Sequence, residues 1–135
     1  MAYKIDEIEG IGPAMSEKLA NAKIKTTNDL LKLCCDKKGR QVTSEKTGCS
    51  ESQLLKWANM ADLMRVSGVG QEFSELLEAA GVDTVKELRN RNAANLADAM
   101  KSVNDQKKLC RAVPSEKTVV KWVDQAKTLA PVITH

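Results

Sequence analysis

Aromatic side chains make up only 3% of this 135-residue sequence, so any core has to be built from Leu, Val, Ile, Ala and Met. Histidine occurs once, at His135. No serine, cysteine or carboxylate therefore has an imidazole partner, which excludes a nucleophilic triad. Carboxylates such as Glu72 and Glu75 fall on one helix surface with no sign of a cleft between them, so an enzyme is not expected. The four cysteines are Cys34, Cys35, Cys49 and Cys110. The adjacent Cys34-Cys35 pair lacks the gap that zinc ligands need. Buried thiols in a reducing compartment are expected, with no metal and no cofactor.

No apolar run approaches the ~20 residues of a membrane span. The first ten residues carry Lys4, Asp6, Glu7 and Glu9, unlike a signal peptide, and the expectation is a soluble cytoplasmic protein. A block of one charge is missing too. Net charge is +3, with 11 basic and 9 acidic side chains in residues 1–65 and 10 and 9 in residues 66–135. That balance permits a nucleic-acid partner without arguing for one. At 42% hydrophobic, the chain can bury one or two modest cores.

What the sequence does contain is a repeat. Ile8-Glu9-Gly10-Ile11-Gly12 and Val66-Ser67-Gly68-Val69-Gly70 share the form hydrophobic-x-Gly-hydrophobic-Gly at an offset of 58. Two glycines so spaced suit a tight turn that needs positive φ and close backbone approach. At the same offset Met15 matches Phe73, Ser16 matches Ser74, and Leu19, Ala22, Ile24, Thr26 and Leu30 match Leu77, Ala80, Val82, Thr84 and Leu88. Further on, the segment from Ser50 to Trp57 aligns with that from Ser115 to Trp122 at an offset of 65. About seven extra residues then fall near residues 104–114, read as a polar connection. The chain is two copies of one unit.

In order, residues 3–8 form a short helical turn, and Pro13 suits the first position of the next helix. Met15, Leu19 and Ala22 recur on one helical face. Thr26 or Thr27 caps a short helix over residues 29–33, and Asp36-Lys37-Lys38-Gly39 reads as a polar turn. A helix over residues 40–47 stops at Gly48. Ser50 and Gln53 form a capping box for a helix over residues 50–65 that leads into the second glycine turn. Asp83 or Thr84, then Asn92, cap the following helices. A final helix reaching Ala130-Pro131 closes the repeat as a cap. Trp57 and Trp122 fall within apolar faces, as core anchors.

These turns resemble the helix-hairpin-helix motif. From Ile5 to Trp122 the chain resembles a bacterial and cyanobacterial family of unknown function with tandem helix-hairpin-helix motifs. More distantly, it is similar to the hairpin repeats of DNA ligases, repair nucleases and recombination proteins, and to the C-terminal domain of the RNA polymerase α subunit. The resemblance implies an all-α fold, a SAM-like bundle of short helices. Residues 1–65 and 66–135 would be its two helix-hairpin-helix units, bridged by the helix over residues 50–65 into one compact body. It implies no reaction, and fold alone supplies no function.

It does imply a phosphate site. Free amides of a glycine turn and the N-terminus of the helix behind it make a small electropositive nest, which positions a nucleic-acid backbone without reading bases. The candidate residues are Gly10, Ile11, Gly12, Ala14 and Lys18 in the first copy, and Gly68, Val69 and Gly70 in the second. The position two after the second glycine, often basic in DNA-binding members, is Ala14 and Glu72 here. Glu72, Glu75 and Glu78 would repel phosphate from the second hairpin.

The expectation is non-sequence-specific DNA binding. The alternative is a protein–protein interaction scaffold with no nucleic-acid binding, its glycine turns serving only to let helices cross closely. A helix-turn-helix through Thr43, Gly48 and Leu54, exposing Ser50, Glu51, Gln53 and Lys56, ranks below the hairpin because it offers few base-pairing donors. Lys37, Lys38 and Arg40, like Lys107, Lys108 and Arg111, either touch phosphate or lie in solvated loops.

Overall fold

A computed structural model describes residues 3–135. Among them are eight α-helices and no strand, so the fold is all-α. A single 3-10 turn, Ile5–Glu7, precedes α1 (Pro13–Asn21), α2 (Thr27–Cys34), α3 (Lys37–Thr47) and α4 (Glu51–Leu63). Then come α5 (Gln71–Ala79), α6 (Val85–Leu88), α7 (Ala93–Lys107) and α8 (Glu116–Ala126).

The helix starts follow from local chemistry. Thr26, Asp36, Ser50, Thr84, Asn92 and Ser115 each accept a first-turn amide with their side chain, which satisfies a donor the helix itself cannot. Ser50 and Gln53 do form a capping box. The expected polar turn at residues 36–39 is corrected. Asp36 Oδ1 takes the Gly39 N–H at 2.7 Å, so α3 starts at Lys37. Gly39 lies inside that helix, where a Cβ would collide with the Leu33 carbonyl at the end of α2. It serves close packing between α2 and α3 rather than a turn.

The connection expected at residues 104–114 is also corrected, since α7 runs on to Lys107 and ends with Lys108 in left-handed backbone. Asn104 then clamps the returning chain, taking the Cys110 N–H at 2.8 Å and donating to its carbonyl at 3.0 Å. The last helix stops at Ala126 rather than near Pro131. From there the chain returns to the first half. Ile133 packs on the N-terminal core, and the Thr134 N–H donates to the Cys35 carbonyl at 2.8 Å.

Two clusters form the core. One gathers Ile8, Leu19, Ile24, Leu30, Leu54 and Trp57 with the flank of α4; the other gathers Val66, Leu76, Leu77, Leu88, Met100 and Trp122. Helix α4 feeds both, with Met60 and Ala61 in the first and Leu63 in the second. The buried Asp62 carboxylate ties them together. It accepts Val85 N–H at the start of α6 at 2.8 Å and Arg65 Nη1 at 2.7 Å, and Arg65 also donates to the Ala130 carbonyl at 2.9 Å.

Candidate phosphate-binding turns

The two glycine turns follow the same hydrogen-bond course. In the first, Ile11 N–H donates to the Ile8 carbonyl at 3.1 Å, and Ser16 N–H to the Gly12 carbonyl at 2.8 Å. In the second, Val69 N–H donates to the Val66 carbonyl at 3.1 Å, and Ser74 N–H to the Gly70 carbonyl at 2.9 Å. Behind them, Ile24 N–H reaches Leu19 and Val82 N–H reaches Leu77, each at 2.9 Å.

The first glycine of each pair has a reason inside the fold. Gly10 and Gly68 have φ of +94° and +89°, conformations that side chains disfavour. A Cβ on either would stand 3.4 Å from a tryptophan Nε1, that of Trp57 or of Trp122. Both tryptophans are buried.

The second glycine of each pair has no such reason. Gly12 and Gly70 have ordinary negative φ of −87° and −104°, and nothing lies within 4 Å of where their Cβ would point. They are the N-caps of α1 and α5 and offer no side-chain acceptor. The amides of Gly12, Ala14 and Met15, and those of Gly70, Gln71, Glu72 and Phe73, find no acceptor among the described residues. Each helix start thus faces solvent with an open backbone and unpaired donors.

The nominated residues separate on this geometry. Gly12, Ala14 and Lys18 are exposed near the start of α1, with Ala14 and Lys18 one helical turn apart. Gly70 stands at the matching start of α5, and Gly10 and Gly68 shape the turns. Ile11 and Val69 are buried and their amides are taken within the turn, so they brace the loop and leave no donor facing outward.

Electrostatics distinguish the second turn. Gln71 Nε2 donates to Glu9 Oε2 at 2.7 Å, which places the two turns side by side. Burial, then the charges of Glu9, Glu78 and Glu72, push the Glu75 carboxyl above its usual range. An acidic ridge therefore runs between the turns, relieved at its edge by Lys56 Nζ, 3.9 Å from Glu78. The Ser67 amide is occupied by Gln125 Oε1 at 3.0 Å. Of the four glutamates, only the three on α5 lie together in the sequence. Glu9 enters only because the fold packs the two turns together, which no local spacing signals.

The other candidates resolve simply. Arg40 is buried, donating to the Cys34 carbonyl at 3.0 Å and the Thr134 carbonyl at 2.7 Å, so it is neither a loop cation nor a phosphate contact. Lys37, Lys38, Lys107, Lys108 and Arg111 are exposed. Thr43 and Thr47 are buried beneath the α3–α4 corner. Cys34, Cys49 and Cys110 are buried thiols, and burial pushes those of Cys34 and Cys110 above the ordinary value, away from the reactive thiolate. Among the described residues no three His, Cys, Asp or Glu converge as metal ligands, and no helix is long and apolar enough to cross a membrane.

A family model described as a domain of unknown function (DUF4332) matches residues 9–129. No curated protein and no solved structure matches the chain.

Proposed function

The chain belongs to the domain-of-unknown-function family DUF4332, and we propose that it is a cytoplasmic module that binds the backbone of DNA without reading sequence. Residues 1–65 and 66–135 act as two helix-hairpin-helix units. The observation that carries this assignment is Gly12 and Gly70. Each is an N-cap with open space where a side chain would point, and each stands at a helix start whose amides are unpaired. A phosphate oxygen needs both features, close access to backbone and donors without partners.

The first turn is the stronger site. Its helix begins with Pro13, Ala14, Met15 and Ser16 and carries Lys18 one turn on, and Glu9 is engaged by Gln71. The second turn contributes Gly68 and Gly70 beside the glutamates of α5, which lowers affinity without removing the nest. Titrating labelled duplex and single strand at two salt concentrations tests the proposal. Affinity should be similar on unrelated sequences and fall steeply with salt. Absence of salt-sensitive binding at low ionic strength would overturn it.

One observation favours a second function, that of a protein interaction scaffold. Burial together with the charges of Glu9, Glu78 and Glu72 raises the Glu75 carboxyl above its usual range, and a face of four such carboxylates suits a basic protein partner.

A further inference from the structure

The indoles of Trp57 and Trp122 are 4% and 2% exposed, and neither N–H finds an acceptor among the described residues. A buried indole normally pairs its N–H. Asn59 Oδ1 is the single fully buried side-chain polar atom without a partner among those residues. Neither indole nitrogen is among the fully buried unpartnered atoms, so each keeps a little exposed surface. That edge lies beside the glycine turns, because each Nε1 sits 3.4 Å from the position a Gly10 or Gly68 Cβ would take. The same arrangement recurs in both copies of the repeat, although the tryptophans are reached from their glycines by different sequence separations.

We propose that the Trp57 and Trp122 indole N–H groups are phosphate donors, each completing the nest made by the adjacent glycine turn and helix start. The proposal rests on the nucleic-acid assignment above and adds the side chains that hold the phosphate. Gly10 and Gly68 then have a second role beyond backbone conformation, since any larger residue would cover the indole edge. Backbone amides supply donors from the α1 or α5 side, and the indole supplies one from the core side. A phosphate in between is held from two directions without any lysine in the turn, where DNA-binding hairpins often carry one. The indole is a neutral donor, rigidly packed by its own burial, so it adds little charge and little ordering cost.

Only two tryptophans occur in the chain, so an indole-labelled protein gives two side-chain N–H signals that report directly. The full chain, labelled with 15N, is titrated with a short DNA duplex at low and high salt. Both indole protons should move downfield together with the Gly12 and Gly70 amides, and both effects should reverse at high salt. If the amides move and the indoles stay in place, this inference fails and the hairpin assignment stands. If neither moves, both fail. Trp57→Phe keeps an aromatic ring but removes the donor, and should weaken duplex binding about tenfold, as expected for a hydrogen bond to a charged group. Undiminished affinity in a folded Trp57→Phe protein would also overturn the inference. Should that variant unfold, the titration of the unmodified chain decides alone.

Discussion

At Gly10 the backbone sits at φ +94°, where an alanine would be strained by about 1–2 kcal/mol and its methyl would lie in close contact with the Trp57 indole nitrogen. Two residues on, Gly12 has φ −87° and open space before it. Substituting alanine at the two positions should therefore separate folding from binding. Gly10→Ala should lower the urea midpoint. Gly12→Ala should cost less than about 1 kcal/mol, the scale of a helix-cap change, yet weaken duplex binding, because its methyl would stand where the phosphate approaches. Equal loss of stability at both sites, with binding unchanged in Gly12→Ala, would mean the turns are packing devices. The tryptophans obey a different rule. Each is buried in its own cluster, so Trp57→Ala or Trp122→Ala should cost about 3–5 kcal/mol in equilibrium denaturation. Their burial was legible from apolar spacing, whereas their contact with the glycines was not, since it joins residues far apart in sequence.

Elements were legible where their ends are written in side chains. Ser50, Asn92 and Ser115 cap as their residue types suggest. Gly39 misled because glycine signals a turn by composition, and its role in close approach between α2 and α3 depends on a neighbour the local sequence does not name. Helix α5 carries a prediction of its own. Burial, reinforced by Glu9, Glu78 and Glu72, holds the Glu75 carboxyl above the ordinary glutamate value of 4.5. The folded chain thus keeps that proton more tightly than the unfolded one. This group favours folding below about pH 4.5 and loses that advantage as pH rises through its raised folded value. Glu75→Gln should stabilise the protein at neutral pH, with the difference from the parent closing as the pH falls through that window. Denaturation midpoints across pH, followed by tryptophan fluorescence, measure the gap. A gap that persists in acid would assign the effect to packing instead.

Across the whole molecule, charge is nearly balanced and evenly spread along the chain, yet the fold makes it uneven in space. It brings Glu9 from one turn against Gln71 at the other and lines the gap with the acids of α5. It also draws residues 133 and 134 back onto the first half, where Thr134 meets the buried Arg40. None of this follows from spacing in sequence, because it comes from how the two halves meet. Under the proposed function, the balance of attraction and repulsion at the paired turns sets the affinity, and it is open to charge reversal. Lys18→Glu should weaken duplex binding by a similar factor on every sequence and reduce the salt slope by about 1, since one phosphate contact is lost. Glu72→Lys with Glu75→Lys should do the reverse, raising affinity and steepening the slope, because the second turn lies beside the first. Binding titrations of both variants over a salt series measure the slopes. If neither reversal changes nucleic-acid affinity, the turns do not face the backbone, and the acidic ridge becomes the working surface, to be tested against a basic protein partner.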